Sequence, residues 1–99
     1  MKYEIQLSDE AEEDLLESFV WYERKQPGLG DEFLAEIQNS FQLIGKRPES
    51  YRIRYRQKVR AFVVDRFPFL ILYILREEMV DVISIFHTSR NPKTWKKRI

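Results

Sequence analysis

The sequence has no cysteine and a single histidine, and no apolar run approaches the roughly 18 residues that a membrane span requires. Without cysteine there is neither a disulfide framework nor a thiolate zinc site. No metal and no cofactor is expected, and neither is a membrane association. The chain also lacks repeats, linkers and low-complexity segments, so its 99 residues are expected to form one domain, 1–99, with one core. The opening MKYEIQLSDEAEE turns acidic where a secretory signal would be apolar, which points to a cytoplasmic location.

What is present is enough to fold. Hydrophobic residues make up 43% and aromatics 14%, which argues against disorder. The net charge of +1 conceals an asymmetry. Residues 1–45 carry 3 basic and 11 acidic side chains, and residues 46–99 carry 14 basic and 5 acidic ones. Either acidic helices pair with a basic sheet, or the C-terminal half offers a cationic surface to phosphates or to an acidic partner.

Residues 2–7 alternate, with Tyr3, Ile5 and Leu7 on one side, and predict a short half-buried strand. Ser8 suits an N-cap, and Asp9, Glu10, Glu12 and Glu13 suit the positive end of a helix dipole. Ala11, Leu15, Phe19 and Tyr22 recur at helical spacing, and Leu16 and Val20 widen the stripe. Trp21 and Tyr22 read as core. Pro27-Gly28 ends this helix. Asp31 is the expected cap of a second, in which Leu34, Ile37, Phe41 and Ile44 repeat until Gly45 and Pro48. The short link, 26–30, implies an antiparallel helix pair.

The remainder is β-rich. Residues 51–55 read as extended, 59–64 as a strand, and 65–68 as a turn, because Pro68 cannot donate to a ladder. Residues 70–75 are a continuous apolar run, as in a strand covered on both faces. Arg76-Glu77-Glu78 makes a hairpin turn, and 80–86 is the last strand. The expected class is α+β in the order β-α-α-β-β-β. An N-terminal strand and a helical hairpin pack on one face of a mainly antiparallel four-stranded sheet, leaving arginines and the imidazole gathered on the other side.

This order, with two stretches, resembles the RelE/ParE family of toxins from bacterial type II toxin–antitoxin systems. The stretches are VRAFVVDRFPFLILY (59–73), with its Arg66-Phe67-Pro68-Phe69 step into the central strand, and VISIFHTSRNPKTW (82–95), with His87, Arg90, Pro92 and Trp95 at spacings of three, two and three. The resemblance covers essentially the whole chain. It implies a toxin that a cognate antitoxin neutralises, in a toxin–antitoxin hetero-oligomer. RelE-like members cleave messenger RNA on the ribosome as metal-independent endoribonucleases. ParE-like members inhibit DNA gyrase without RNase chemistry. The ribosome and mRNA, or DNA gyrase, are therefore the expected targets, with RNA cleavage placed first. An antitoxin-bound module without toxicity is the third alternative, which normal growth on induction of the chain alone would reveal.

Metal-free RNA cleavage needs a base for the 2′-hydroxyl, an acid for the leaving oxygen and cations for the phosphate. His87 suits base or acid, since imidazole titrates near neutrality; otherwise it caps the strand end by bonding a backbone carbonyl. Arg90 suits a two-pronged phosphate clamp, or a salt bridge to a helix carboxylate. Arg60 completes the expected catalytic set, with Lys58 a further candidate. The run RIRYRQKVR (52–60) sets five cations two apart, Arg54, Arg56 and Lys58 among them, on one face if unbroken. A turn near Gln57 would break that alignment, and a solvated edge strand is the plain alternative. Arg66, Lys93, Trp95 and Lys96 complete the expected nucleic-acid contacts; alternatively Trp95 folds back and closes the core. One departure counts against RNA cleavage. Relatives with this chemistry carry arginine just inside the central strand, where this chain has Leu70. Some of them use a glutamate as general base, and spacing does not place Glu49 in that role.

Overall fold

Ser8 opens the first helix as its sequence implies. Its Oγ accepts from the Ala11 N–H at 3.0 Å, and three carboxylates follow in the first turn. The structure is a computed structural model that describes residues 3–99. In chain order it contains β1 (Glu4–Leu7), α1 (Asp9–Lys25), α2 (Leu29–Lys46), a 3-10 turn (Pro48–Ser50), β2 (Ile53–Tyr55), β3 (Val59–Val63), β4 (Phe69–Arg76), β5 (Met79–His87) and a short helix α3 (Lys93–Lys96). Lys2, the expected first residue of β1, lies outside the described residues.

The class is α+β as expected, but the sheet has five strands, in the order β1-β5-β4-β3-β2. β1 runs parallel to β5, and the other pairs are antiparallel. The fifth strand is β2, from the stretch read only as extended. Its partner is β3, and Lys58 N–H donates to Tyr55 O at 3.1 Å across the connecting turn. The turn near Gln57 is present. Arg56 and Gln57 adopt φ of 53° and 58°, the left-handed pair that matches hairpin twist and is normally given to Asn-Gly.

Asp31 does not cap α2. The helix starts two residues earlier, after Gly28 in a left-handed conformation (φ 91°), and Asp31 lies in its first turn. The cap comes from the preceding helix. Glu23 accepts from the N–H groups of Gly28 and Gly30 at 2.9 and 3.0 Å, which satisfies donors at the start of the helix that Gly28 has no side chain to serve. At the other end α2 continues through Gly45, and Pro48 opens the 3-10 turn.

The two helices cover one face of the sheet. Phe33, Ile37 and Ile44 of α2 and Ala11 and Tyr22 of α1 bury against Ile71, Tyr73, Val80 and Val82. Tyr22 and Phe33 contact Phe67 and Phe69 with ring centres 5.0 to 6.2 Å apart, which clamps the step into β4 to the helix pair. β4 is covered on both sides, as its apolar run implies, since Leu72 and Ile74 point to a second core.

That second core corrects the expectation of a bare face. Trp95, 6% exposed, packs with Val59, Ala61, Ile83 and Phe86, so the C-terminal segment folds back across the sheet. On α3 and just after it, Trp95 and Arg98 face inward, whereas Lys93, Lys96 and Lys97 are exposed.

Candidate functional site

β1 is short. It accompanies β5 only from Met79 to Val82, so the outer edge of Ile83 to His87 has no strand beside it. α1 fills the gap. Asp14 accepts from the Ile85 N–H at 3.1 Å and from Ser84 Oγ at 3.2 Å. The same carboxylate takes two bonds from the Arg98 guanidinium, at 2.7 and 3.1 Å, and Arg98 also donates to Ile83 O at 2.9 Å. Hydrogen bonding to Asp14 raises the Arg98 pKa further above its ordinary value. Asp14 thus ties three parts together: a helix, a strand edge and the chain's penultimate residue.

Beside this knot, between α1 and the exit of β5, lies a hollow of about 550 Å³. Tyr22, Phe69, Trp21, His87 and Arg90 are among its lining residues. Asp14 and Glu17 line it too, so its charge is mixed. The His87 ring stands edge-on to Phe69, with centres 5.1 Å apart. Its Nδ1 accepts from the Ser89 N–H at 3.1 Å and lies 2.8 Å from Ser89 Oγ. His87 therefore caps the strand exit, but through a backbone N–H rather than the carbonyl expected. With Nδ1 accepting, the neutral ring carries its proton on Nε2. Arg90 is exposed, and among the described residues no carboxylate pairs with it.

Arg60 does not join them. It pairs with Tyr73 across the sheet, while His87 pairs with Phe69. Four residues of β4 separate those positions, roughly 13 Å along the strand, with two strand spacings of about 5 Å each across. The Arg60 guanidinium donates to the carbonyl oxygens of Glu49 and Tyr51 at 2.9 and 2.7 Å, holding the 3-10 turn to β3. The gathering of Arg60, His87 and Arg90 on a shared uncovered side is thus corrected: only His87 and Arg90 share the hollow.

The other expected residues divide into three groups. Arg66, in a left-handed conformation (φ 71°), pairs with Glu32 at 2.9 Å and Glu36 at 3.5 Å and so fastens the β3–β4 turn to α2. Trp95 offers no face to a base, because it lies in the second core against Tyr55 and Phe86; the closing role holds for it instead. Arg54, Arg56, Lys58, Lys93 and Lys96 are exposed. The turn at Arg56–Gln57 breaks the even spacing of the cations in 52–60.

Two features escaped sequence reasoning. Trp21, read as core, is 55% exposed, and Leu16, read as part of the buried stripe, is 63% exposed. Together with Val20 they line a shallow groove on the outer side of α1, flanked by Glu17, Arg24 and Lys25, and Trp21 and Glu17 line the hollow as well. The Asp14–Arg98 knot also went unseen, although the acidic first half and basic second half are its trace in composition. Among the described residues, no group of three His, Cys, Asp or Glu side chains is placed to hold a metal ion, and no helix is long and apolar enough to cross a membrane.

Comparison with known proteins adds three findings. A family model described as the ParE toxin of the type II toxin–antitoxin system parDE matches residues 5–92. Among solved structures, the chain is similar to one titled "Chromosomal ParDE TA system from P. aeruginosa", with a TM-score of 0.75 and 15% identity. The match covers 86% of this chain and 95% of that one, and at such identity it is a likeness of fold. A search of curated proteins found no match.

Proposed function

We propose a mode of action for this chain, which belongs to the ParE toxin family of type II toxin–antitoxin systems: it inhibits DNA gyrase by binding it, without cutting RNA, and a cognate antitoxin neutralises it. The observation that carries this reading is the separation of Arg60 from His87 and Arg90. Phosphoryl transfer from a 2′-hydroxyl needs cations converging where charge develops on phosphate. Here Arg60 is bonded to two backbone carbonyls, Arg66 is paired with two glutamates, and position 70 is leucine. In the hollow that holds His87 and Arg90, Asp14 and Arg98 neutralise each other and Glu17 offsets Arg90, so no excess of cations is left there to hold a phosphate. A lining of exposed tryptophan, buried aromatics and both signs of charge suits side chains of a protein partner better.

The antitoxin reading rests on the same surface. A segment rich in acidic and apolar residues would find apolar anchors at Leu16, Val20 and Trp21, with the cations Arg24 and Lys25 beside them. RNA cleavage on the ribosome is a second reading, favoured by the presence of His87 and Arg90 on one hollow. Purified chain is to be assayed with gyrase on relaxed plasmid and, in parallel, with programmed ribosomes. Inhibited supercoiling with intact message supports gyrase binding. Cut message that His87→Ala reduces at least tenfold supports the second reading instead.

A further inference from the structure

The exposed cations of the second half of the chain meet at a place that gyrase binding through α1 does not use. Tyr55 ends β2 beside the hairpin tip, and its ring packs edge-on against Trp95 of α3 with centres 5.4 Å apart. This contact brings together two segments distant in sequence. The Arg56 guanidinium lies 5.3 Å from the centre of the Tyr55 ring, and the Lys96 ammonium lies 4.9 Å from it. Two cations thus flank one ring. Lys93, and Lys97 just past the end of α3, are exposed with Lys96, whereas Trp95 and Arg98 take the inward side. Arg54 and Lys58 bracket the tip, and both are exposed. None of these six belongs to the salt bridges among the described residues, which involve Arg66, Arg76 and Arg98.

The tip itself is a second observation. Arg56 and Gln57 both hold a left-handed backbone that favours glycine or asparagine, yet the chain has arginine and glutamine there. A strained turn that keeps a cation stacked on a ring, rather than relaxing to Asn-Gly, points to use of that cation.

Unpaired like charges held this close favour a polyanion. Two features select the backbone of a duplex. Tyr55 and Trp95 are turned on each other and Trp95 is buried, so no open ring face awaits an unstacked base. Nor do the six cations line either hollow along α1, where an acidic peptide would anchor its apolar side chains.

We propose that the surface formed by Arg56, Tyr55 and Lys96, extended by Lys93 and Lys97, binds the phosphates of duplex DNA without reading its sequence. The proposal does not depend on gyrase being the target, and its test contains no gyrase. Fluorescence anisotropy of a labelled random-sequence duplex of about 20 base pairs is followed against purified full chain across salt concentrations. Four phosphate contacts predict a log–log salt slope of about −3.6. Arg56→Gln combined with Lys96→Gln should weaken binding at least tenfold near 100 mM salt and flatten the slope by about 2. Arg76→Gln, which alters a cation paired with Asp81 in another part of the molecule, should change neither. Circular dichroism confirms that the variants fold. Absence of salt-dependent binding by the parent, or wild-type binding by the double variant, overturns the proposal. So does tighter binding of single-stranded oligonucleotide than of duplex, or binding of an acidic peptide in place of DNA.

Discussion

Tyr73 is fully buried at the centre of β4, and its hydroxyl donates to Pro48 O at 2.6 Å. Burial pushes its phenol pKa well above the ordinary 10.0. A folded-state value above the unfolded one means that the stabilising contribution is complete below pH 10 and is lost as pH rises beyond it. Tyr73→Phe should cost about 1–2 kcal/mol at neutral pH, since the Pro48 carbonyl loses its partner. It should also flatten the decline in stability above pH 10, which chemical denaturation across pH measures. Gly30 makes the opposite kind of demand. A Cβ there would lie 2.8 Å from both Glu23 Oε1 and the Phe19 ring. Alanine is the better helix former by about 1 kcal/mol, yet Gly30→Ala should lower stability by about 1–3 kcal/mol in urea unfolding, because the helix pair must part. Neither role is legible in sequence. An aromatic in an apolar run does not announce its hydroxyl partner, and Gly30 reads there as part of a link, although it lies inside α2.

At the scale of elements, the sequence exposed what periodicity encodes and hid what depends on encounters between distant segments. The Ser8 cap, the two amphipathic helices, the doubly covered β4 and the Arg76–Met79 hairpin were all readable, since each follows from local spacing. β2 went uncounted as a strand because a three-residue edge with an Arg-Gln tip lacks the usual turn residues. The start of α2 was misplaced because its cap, Glu23, belongs to the preceding helix. The fold-back of α3 turns on Asp14, which no local pattern marks. Asp14→Asn should release the tail, as it deprives a largely buried guanidinium of its charge partner. A loss of about 2–4 kcal/mol in thermal unfolding is expected. Trypsin cleavage after Lys93, Lys96 or Lys97 should accelerate well beyond that in the parent chain, as timed by mass spectrometry.

For the whole molecule, the resemblance to a toxin family was visible from two stretches, while the arrangement of the site was not. The tail pattern of His87, Arg90, Pro92 and Trp95 reads as one constellation in sequence. Folding divides it: His87 and Arg90 go to the hollow and Trp95 to the second core. Arg60 is drawn off to the α2–β2 connection by two carbonyl oxygens. Conversely, Leu16 and Trp21 look like core residues because they are large and apolar and adjoin the stripe, yet both lie exposed on the outer side of α1. An exposed tryptophan beside a hollow is the sort of anchor that dominates a protein interface.

The most direct measurement is gyrase supercoiling titrated with the parent chain, Trp21→Ala and His87→Ala, alongside a ribosome-dependent RNA cleavage assay on the same preparations. Gyrase binding through Trp21 predicts inhibition by the parent, at least a tenfold loss of potency in Trp21→Ala with its fold intact, little change in His87→Ala, and intact message throughout. Message cleavage abolished by His87→Ala, with gyrase unaffected at micromolar protein, would contradict it.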